Sequence, residues 1–126
     1  MNRFLLAFSL LLLFGSCEDQ EIVGIPPSDY ELKQNRPNPF VDTTLIEYGI
    51  PSVGTSPPRI RIMVYDRFHD RVVLLRDSSS HPAGIFTIGW RPFNTLPAGL
   101  YYIELQKVTG ILQENIVLKR IATLKN

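Results

Sequence analysis

Cysteine is nearly absent: Cys17 is the one cysteine in 126 residues. That count excludes an intramolecular disulfide, and it excludes a zinc site built on several thiolates. Charge of one sign is scarce as well, with 13 basic residues against 12 acidic ones and a net charge of +1. Because these charges are interspersed, the chain lacks the Lys and Arg cluster that neutralises phosphates, so no nucleic-acid partner is expected. Long apolar runs are limited to Phe4 to Phe14, about 11 residues, well short of the roughly 20 that a permanent bilayer-spanning helix needs. Beyond that run no window carries a sustained 3.6-residue apolar stripe, so helices are not expected. What remains, 44% hydrophobic residues at this length, describes one globular domain held by burial alone.

The first residues read as an export signal. Met1, Asn2 and Arg3 give a basic start, the apolar run follows, and the small residues Gly15 and Ser16 close a signal peptide over 1–16. The sequence Phe14-Gly15-Ser16-Cys17 resembles the lipobox of bacterial lipoproteins. That resemblance implies cleavage before Cys17, a diacylglycerol thioether on its sulfur, and an exported lipoprotein at the outer membrane or cell surface. Two acyl chains hold firmly where one is marginal, since each buried methylene contributes about 0.8 kcal/mol. Residues 17–29 are then the lipidated Cys and a flexible, extended, acidic tether. Its opening, Glu18-Asp19-Gln20-Glu21, resembles the acidic export signals of surface lipoproteins in Bacteroidetes-like bacteria, and reads equally as a solvated linker.

Over 30–126 the apolar residues alternate, the period of strands with one buried face. Thr44, Ile46, Tyr48 and Ile50 define such a face over 43–50, and Pro51 ends it. Ile60, Ile62 and Val64 define another over 59–65, with Arg59 and Arg61 on the wet side. The run Val72-Val73-Leu74-Leu75 does not alternate, so the register of a strand over 71–76 stays open. Phe86, Ile88 and Trp90 give a strand that stops at Pro92. Leu96-Pro97-Ala98-Gly99 reads as a turn with Pro second and Gly fourth. Tyr101, Ile103 and Leu105 line a long strand to Val108, Thr109-Gly110 reverses the chain, and a strand over 113–121 closes the domain. Six or seven strands at roughly 10-residue spacing indicate an all-β, immunoglobulin-like antiparallel sandwich, with a small open barrel as the alternative. Trp90 is expected in the core, and Tyr101, just past a turn, is placed for the tyrosine-corner hydrogen bond of such sandwiches.

Five landmarks recur in order: Leu32 to Phe40 with Thr43 to Tyr48; Val64-Tyr65-Asp66; Gly84 before Phe86 to Trp90; Pro97 to Tyr101; and Ile116 to Lys119. Together, over about Tyr30 to Arg120, they resemble the FlgD-type Ig-like domain of the flagellar hook scaffold and the related C-terminal sorting domain of type IX secretion cargo. The resemblance implies an Ig-like fold and a role in protein contact. One departure is His69, where the family usually places Gly, so the turn after Asp66 is expected to be strained or rebuilt. Sorting domains ordinarily follow a long cargo, and this domain follows a short tether and runs on past Lys119, so sorting is the second reading.

Residues able to carry chemistry have plainer roles. His69 and His81 fall in predicted turns and are expected to be solvated, so no metal or cofactor is assigned. Asp77, Ser78, Ser79, Ser80 and His81 supply the residue types of a hydrolase triad, yet neighbours along one loop rarely reach triad geometry, and a flexible linker is expected. Asp42 and Asp66 are expected to cap backbone amides rather than share a calcium ion. Arg59, Arg61 and Arg91 are candidates for a basic face toward a glycan, a lipid headgroup or a protein, with scattered solvated charge as the plain expectation. No catalytic residue and no small-molecule substrate are assigned, and an envelope hydrolase is the remote third reading. The expectation is a non-catalytic envelope lipoprotein, held at the membrane through Cys17, whose Ig-like module meets an envelope protein through loops or strand edges.

Overall fold

The computed structural model describes residues 20–22, 25–52, 54, 56–109 and 113–126; the expected signal segment and Cys17 lie outside them. Among the described residues there are eight strands and no helix. These are β1 (Gln20–Ile22), β2 (Glu31–Leu32), β3 (Thr44–Ile50), β4 (Arg59–Tyr65), β5 (Arg71–Ser78), β6 (Gly84–Trp90), β7 (Gly99–Thr109) and β8 (Gln113–Leu124). They form two antiparallel sheets, ordered β1-β6-β3-β2 and β5-β4-β7-β8, stacked as an Ig-like sandwich. The expected strands thus appear, the last of them extended: β8 runs to Leu124, and Ala122 and Leu124 lie in the core.

Alternation explains most of the inner faces. Thr44, Ile46, Tyr48 and Ile50 of β3 are buried, and they face Ile60, Ile62 and Val64 of β4 and Tyr101, Ile103 and Leu105 of β7. β5 does not alternate because its pairing with β4 shifts register twice, at Ile62/Met63 and at Val64/Tyr65. Such bulges re-aim side chains, which lets Val72, Val73 and Leu75 all pack against the core while Leu74 stays exposed. Within the segment expected as a free tether, β1 pairs with β6. Without it β6 is an edge strand with unpaired backbone groups, and the neighbouring chain satisfies them.

The two sheets are clasped along one side by the segment before β3. Buried Asn35 donates from Nδ2 to Thr44 Oγ1 (2.9 Å) and to the Pro37 carbonyl (3.2 Å), and Thr44 Oγ1 donates to that same carbonyl (2.9 Å). Gln34 Nε2 reaches the Ile121 carbonyl at 2.7 Å, and the Thr123 amide donates to Asn38 Oδ1 at 2.9 Å. Phe40 then bonds β8 through both backbone groups, its amide to the Thr123 carbonyl (2.9 Å) and its carbonyl from the Lys125 amide (2.8 Å). The motif Gln34-Asn35-Arg36-Pro37-Asn38-Pro39-Phe40 is therefore a hydrogen-bonded bridge from the first sheet to the last strand of the second. The Arg36–Pro37 and Asn38–Pro39 peptide bonds are both cis.

The clasp drops the Phe40 ring onto Trp90, with centroids 5.2 Å apart, and Trp90 meets Tyr101 edge-on at 5.7 Å. Trp90 is only 3% exposed. Trp90→Ala is accordingly expected to lower stability by about 3–5 kcal/mol, the usual range for emptying a buried aromatic site. Urea denaturation followed by circular dichroism measures it; a change near zero would mean that the ring contributes nothing to the core.

Candidate functional site

Strand register brings three connections and the chain end to one end of the sandwich. Trp90 ends β6 opposite Thr44, Tyr65 ends β4 opposite Tyr102, and Gly99 opens β7 opposite Leu124. Residues 36–43, 66–70, 91–98 and 125–126 therefore share this loop end, while 51–58 and 79–83 lie at the other.

Large apolar side chains project from these loops into water. Phe68 is 70% and Phe93 80% exposed, and Val41 and Leu100 are exposed beside them. A cleft of about 380 Å³ runs between Phe68, Val72, Leu96, Pro97, Leu100 and Tyr101. Two smaller hollows of about 190 and 130 Å³ flank Phe93, and Leu96 lines all three. The exposed apolar side chains of several connections are thus gathered at one end of the sandwich.

Each loop is held by its own hydrogen bonds. The Tyr101 hydroxyl donates to the Pro97 carbonyl, four residues upstream, forming the expected tyrosine corner. Gly99 sits inside that corner at φ +147°, a conformation that costs glycine little. In the 66–70 turn, Asp66 Oδ1 accepts from the Phe68 and Asp70 amides, both at 2.9 Å, and so presents the Phe68 ring outward. His69 adopts φ +65°, and its ring stacks on Tyr65 at 4.3 Å and 6°. The turn is rebuilt around a histidine whose stacking offsets a left-handed backbone.

The loop end carries little net field. Arg67 lies over the Phe68 ring at 4.8 Å, Asp42 meets Arg91 at 3.6 Å, and Asp66 faces its own amides. Burial first, and the nearby Asp66 carboxylate second, raise the Tyr101 phenol above its ordinary pKa. It stays a neutral hydrogen-bond donor throughout the physiological range.

Beside the turn, the outer face of the second sheet holds an ordered polar cluster that sequence reasoning missed. Glu104 is 4% and Gln106 1% exposed, although alternation puts both on the wet side of β7. Gln106 Nε2 donates to Tyr65 Oη (3.0 Å) and Glu104 Oε1 (3.1 Å); Glu104 Oε2 lies 3.7 Å from Lys119 Nζ and 4.0 Å from His69 Nδ1. On the neighbouring β4, Met63 stands opposite Glu104 and Tyr65 bonds Gln106, and both are themselves buried. No periodicity signals that.

The residues singled out from sequence separate into distinct surroundings. Asp66 caps amides as expected, whereas Asp42 accepts from Thr43 Oγ1 and pairs with Arg91, so the two carboxylates take different partners. His81, expected to be solvated, is 2% exposed. Its Nδ1 must donate to the Pro82 carbonyl (2.8 Å), which can only accept, leaving Nε2 to accept from the Tyr48 hydroxyl at 2.8 Å. The reason lies in the backbone: the His81 amide binds the Pro58 carbonyl, which draws the residue under the far end, against Tyr48 and Phe86. Asp77 pairs instead with Arg59 at 3.1 Å, so Asp77, His81 and the intervening serines do not converge as a triad. The three arginines form no common face either. Arg59 and half-buried Arg61 lie on the outer side of β4, and Arg91 leaves β6 in the other sheet.

Comparison with protein-family models, with curated proteins and with solved structures finds no match for this chain.

Loss of the corner bond in Tyr101→Phe is expected to cost about 1 kcal/mol at neutral pH. The raised folded pKa makes this tyrosine's contribution complete below about pH 10, the unfolded value, and removes it as pH rises through the folded value. Denaturation of both proteins at pH 7 and pH 11 checks this: the stability gap between them narrows at the higher pH, and a gap that widens would contradict it.

Proposed function

We propose that this chain is a non-catalytic envelope lipoprotein, cut before Cys17 and acylated there, that displays its Ig-like sandwich as an interaction module. The observation that carries the reading is the loop end: an apolar surface with a cleft of about 380 Å³, held by the Phe40 clasp, the tyrosine corner and the Asp66 turn. Contact surfaces, unlike catalytic ones, need no converging titratable groups, and here the acid and base side chains serve the fold. His81 holds the core at the far end, and Glu104 is sequestered among Gln106, Lys119 and His69. The lipobox-like Phe14 to Cys17 and the FlgD-type landmarks support the same reading from the sequence side. Retention of the domain, rather than its removal as a sorting signal, is favoured by β8, whose last residues Ala122 and Leu124 are part of the core.

Labelling producing cells with a palmitate analogue should mark the wild type and not Cys17→Ala. Intact mass of the membrane-purified protein should correspond to Cys17 to Asn126 plus acyl groups. An unlabelled wild type, or equal labelling of Cys17→Ala, would refute the anchor; a membrane product lacking β8 would favour sorting.

A further inference from the structure

We infer that the loop end is the membrane-facing surface of the anchored protein, with Phe68, Phe93, Val41 and Leu100 seated at the boundary between lipid headgroups and acyl chains. This rests on acylation of Cys17, as proposed above, and names the partner of the same surface. The direction of β1 carries it. β1 is antiparallel to β6, with Gln20 opposite Thr87 and Ile22 opposite Ile85, so the chain comes into β1 from the side of Trp90, which is the loop end. Gln20 is three residue steps on from Cys17, and at most about 3.5 Å per step these span roughly 10 Å. A lipid on Cys17 therefore cannot stand far from the loop end while β1 is paired. Were β1 absent, the whole of 17–29 would be available as a leash of about 40 Å, and no face would be preferred.

The surface brought to the bilayer has the matching chemistry. Its exposed large apolar side chains are Val41, Phe68 and Phe93 on the connections and Leu100 at the start of β7. Its charges are balanced: Arg91 pairs with Asp42, and Arg67 covers one face of the Phe68 ring. Interfacial seating buries apolar side chains about 5–10 Å into the headgroup and acyl boundary and needs no cluster of basic residues. The opposite end, with its Ser52, Gly54 and Ser56 loop, exposes one large apolar side chain among the described residues, Ile25 in the connection from β1 to β2, against the four at the loop end. Seating the loop end in lipid leaves that end and the edges of β5 and β8 in water for an envelope protein.

The test uses the full acylated protein in phosphatidylcholine and phosphatidylglycerol vesicles, with or without bromine on the acyl chains. Phe93→Trp places a reporter on the loop end and Ser52→Trp places one at the far end, each over the constant background of buried Trp90. Brominated lipid should cut the added emission of Phe93→Trp by about twofold or more and leave that of Ser52→Trp within about a fifth of its value. Flotation and intact mass of the same samples report the anchor independently. Acylated protein that floats but shows no quenching of Phe93→Trp, or equal quenching of both reporters, overturns the orientation and leaves the anchor standing. Protection of Phe93→Trp from aqueous iodide without quenching by lipid would also overturn it, in favour of contact with a second copy of this chain. Protein that carries no acyl group and does not float overturns the anchor, and this inference with it.

Discussion

The contact of Phe40 with Trp90, and of Trp90 with Tyr101, is what the rest of the molecule depends on. Phe40 comes from the clasp, Trp90 from the first sheet and Tyr101 from the second, so three rings close the sandwich at one end. A small sandwich has little core to spare, and aromatic side chains supply the largest burial per residue. Both connections that form the exposed surface are then tied to this cluster. The 91–98 loop leaves from Trp90 and returns through the corner made by Tyr101 and Pro97; the clasp carries Val41 one residue beyond Phe40.

The frame beneath the apolar tips is held by specific bonds, while the tips themselves add little to it. Phe68 and Phe93, 70% and 80% exposed, contribute little core burial to the isolated fold, since they keep most of the water contact they have in the unfolded chain. The Asp66 turn and the corner prevent the loops from folding these side chains inward. Under the anchoring proposed above, the chain direction that fixes β1 would set these tips toward the bilayer.

Period-two alternation made the architecture legible, since a one-residue slip moves a whole face into water. It gave the inner faces of β3, β4 and β7 and the core place of Trp90, while the Leu96 to Gly99 turn signal gave the corner at Tyr101. The bulged pairing of β5 was not legible, because a bulge destroys the alternation that would announce it. Nor was the loop end, which gathers residues as distant as Val41, Phe68 and Phe93 through sheet register alone. His81 was misjudged because a backbone bond to Pro58 draws it under the far end, and the burial of Glu104 went unread because neighbours across the sheet, not position along the chain, decide whether water reaches it. The clasp motif was visible only as the first landmark of the family resemblance, and its place as a bridge from one sheet to the other needed the partner strand β8. Cys17 was readable only from its neighbours in sequence, and it lies outside the described residues.

Amide hydrogen exchange at Phe40 tests most directly whether the loop end is a built surface. Its amide binds the Thr123 carbonyl at 2.9 Å and its side chain is 1% exposed. Exchange at neutral pH should be as slow as at Ile62 and Ile103 in the paired centre of β4 and β7, opening only with global unfolding. Exchange at Phe40 as fast as in the exposed bend at Ser79 and Ser80 would show that the clasp opens on its own, and that the loop end has no fixed form to present.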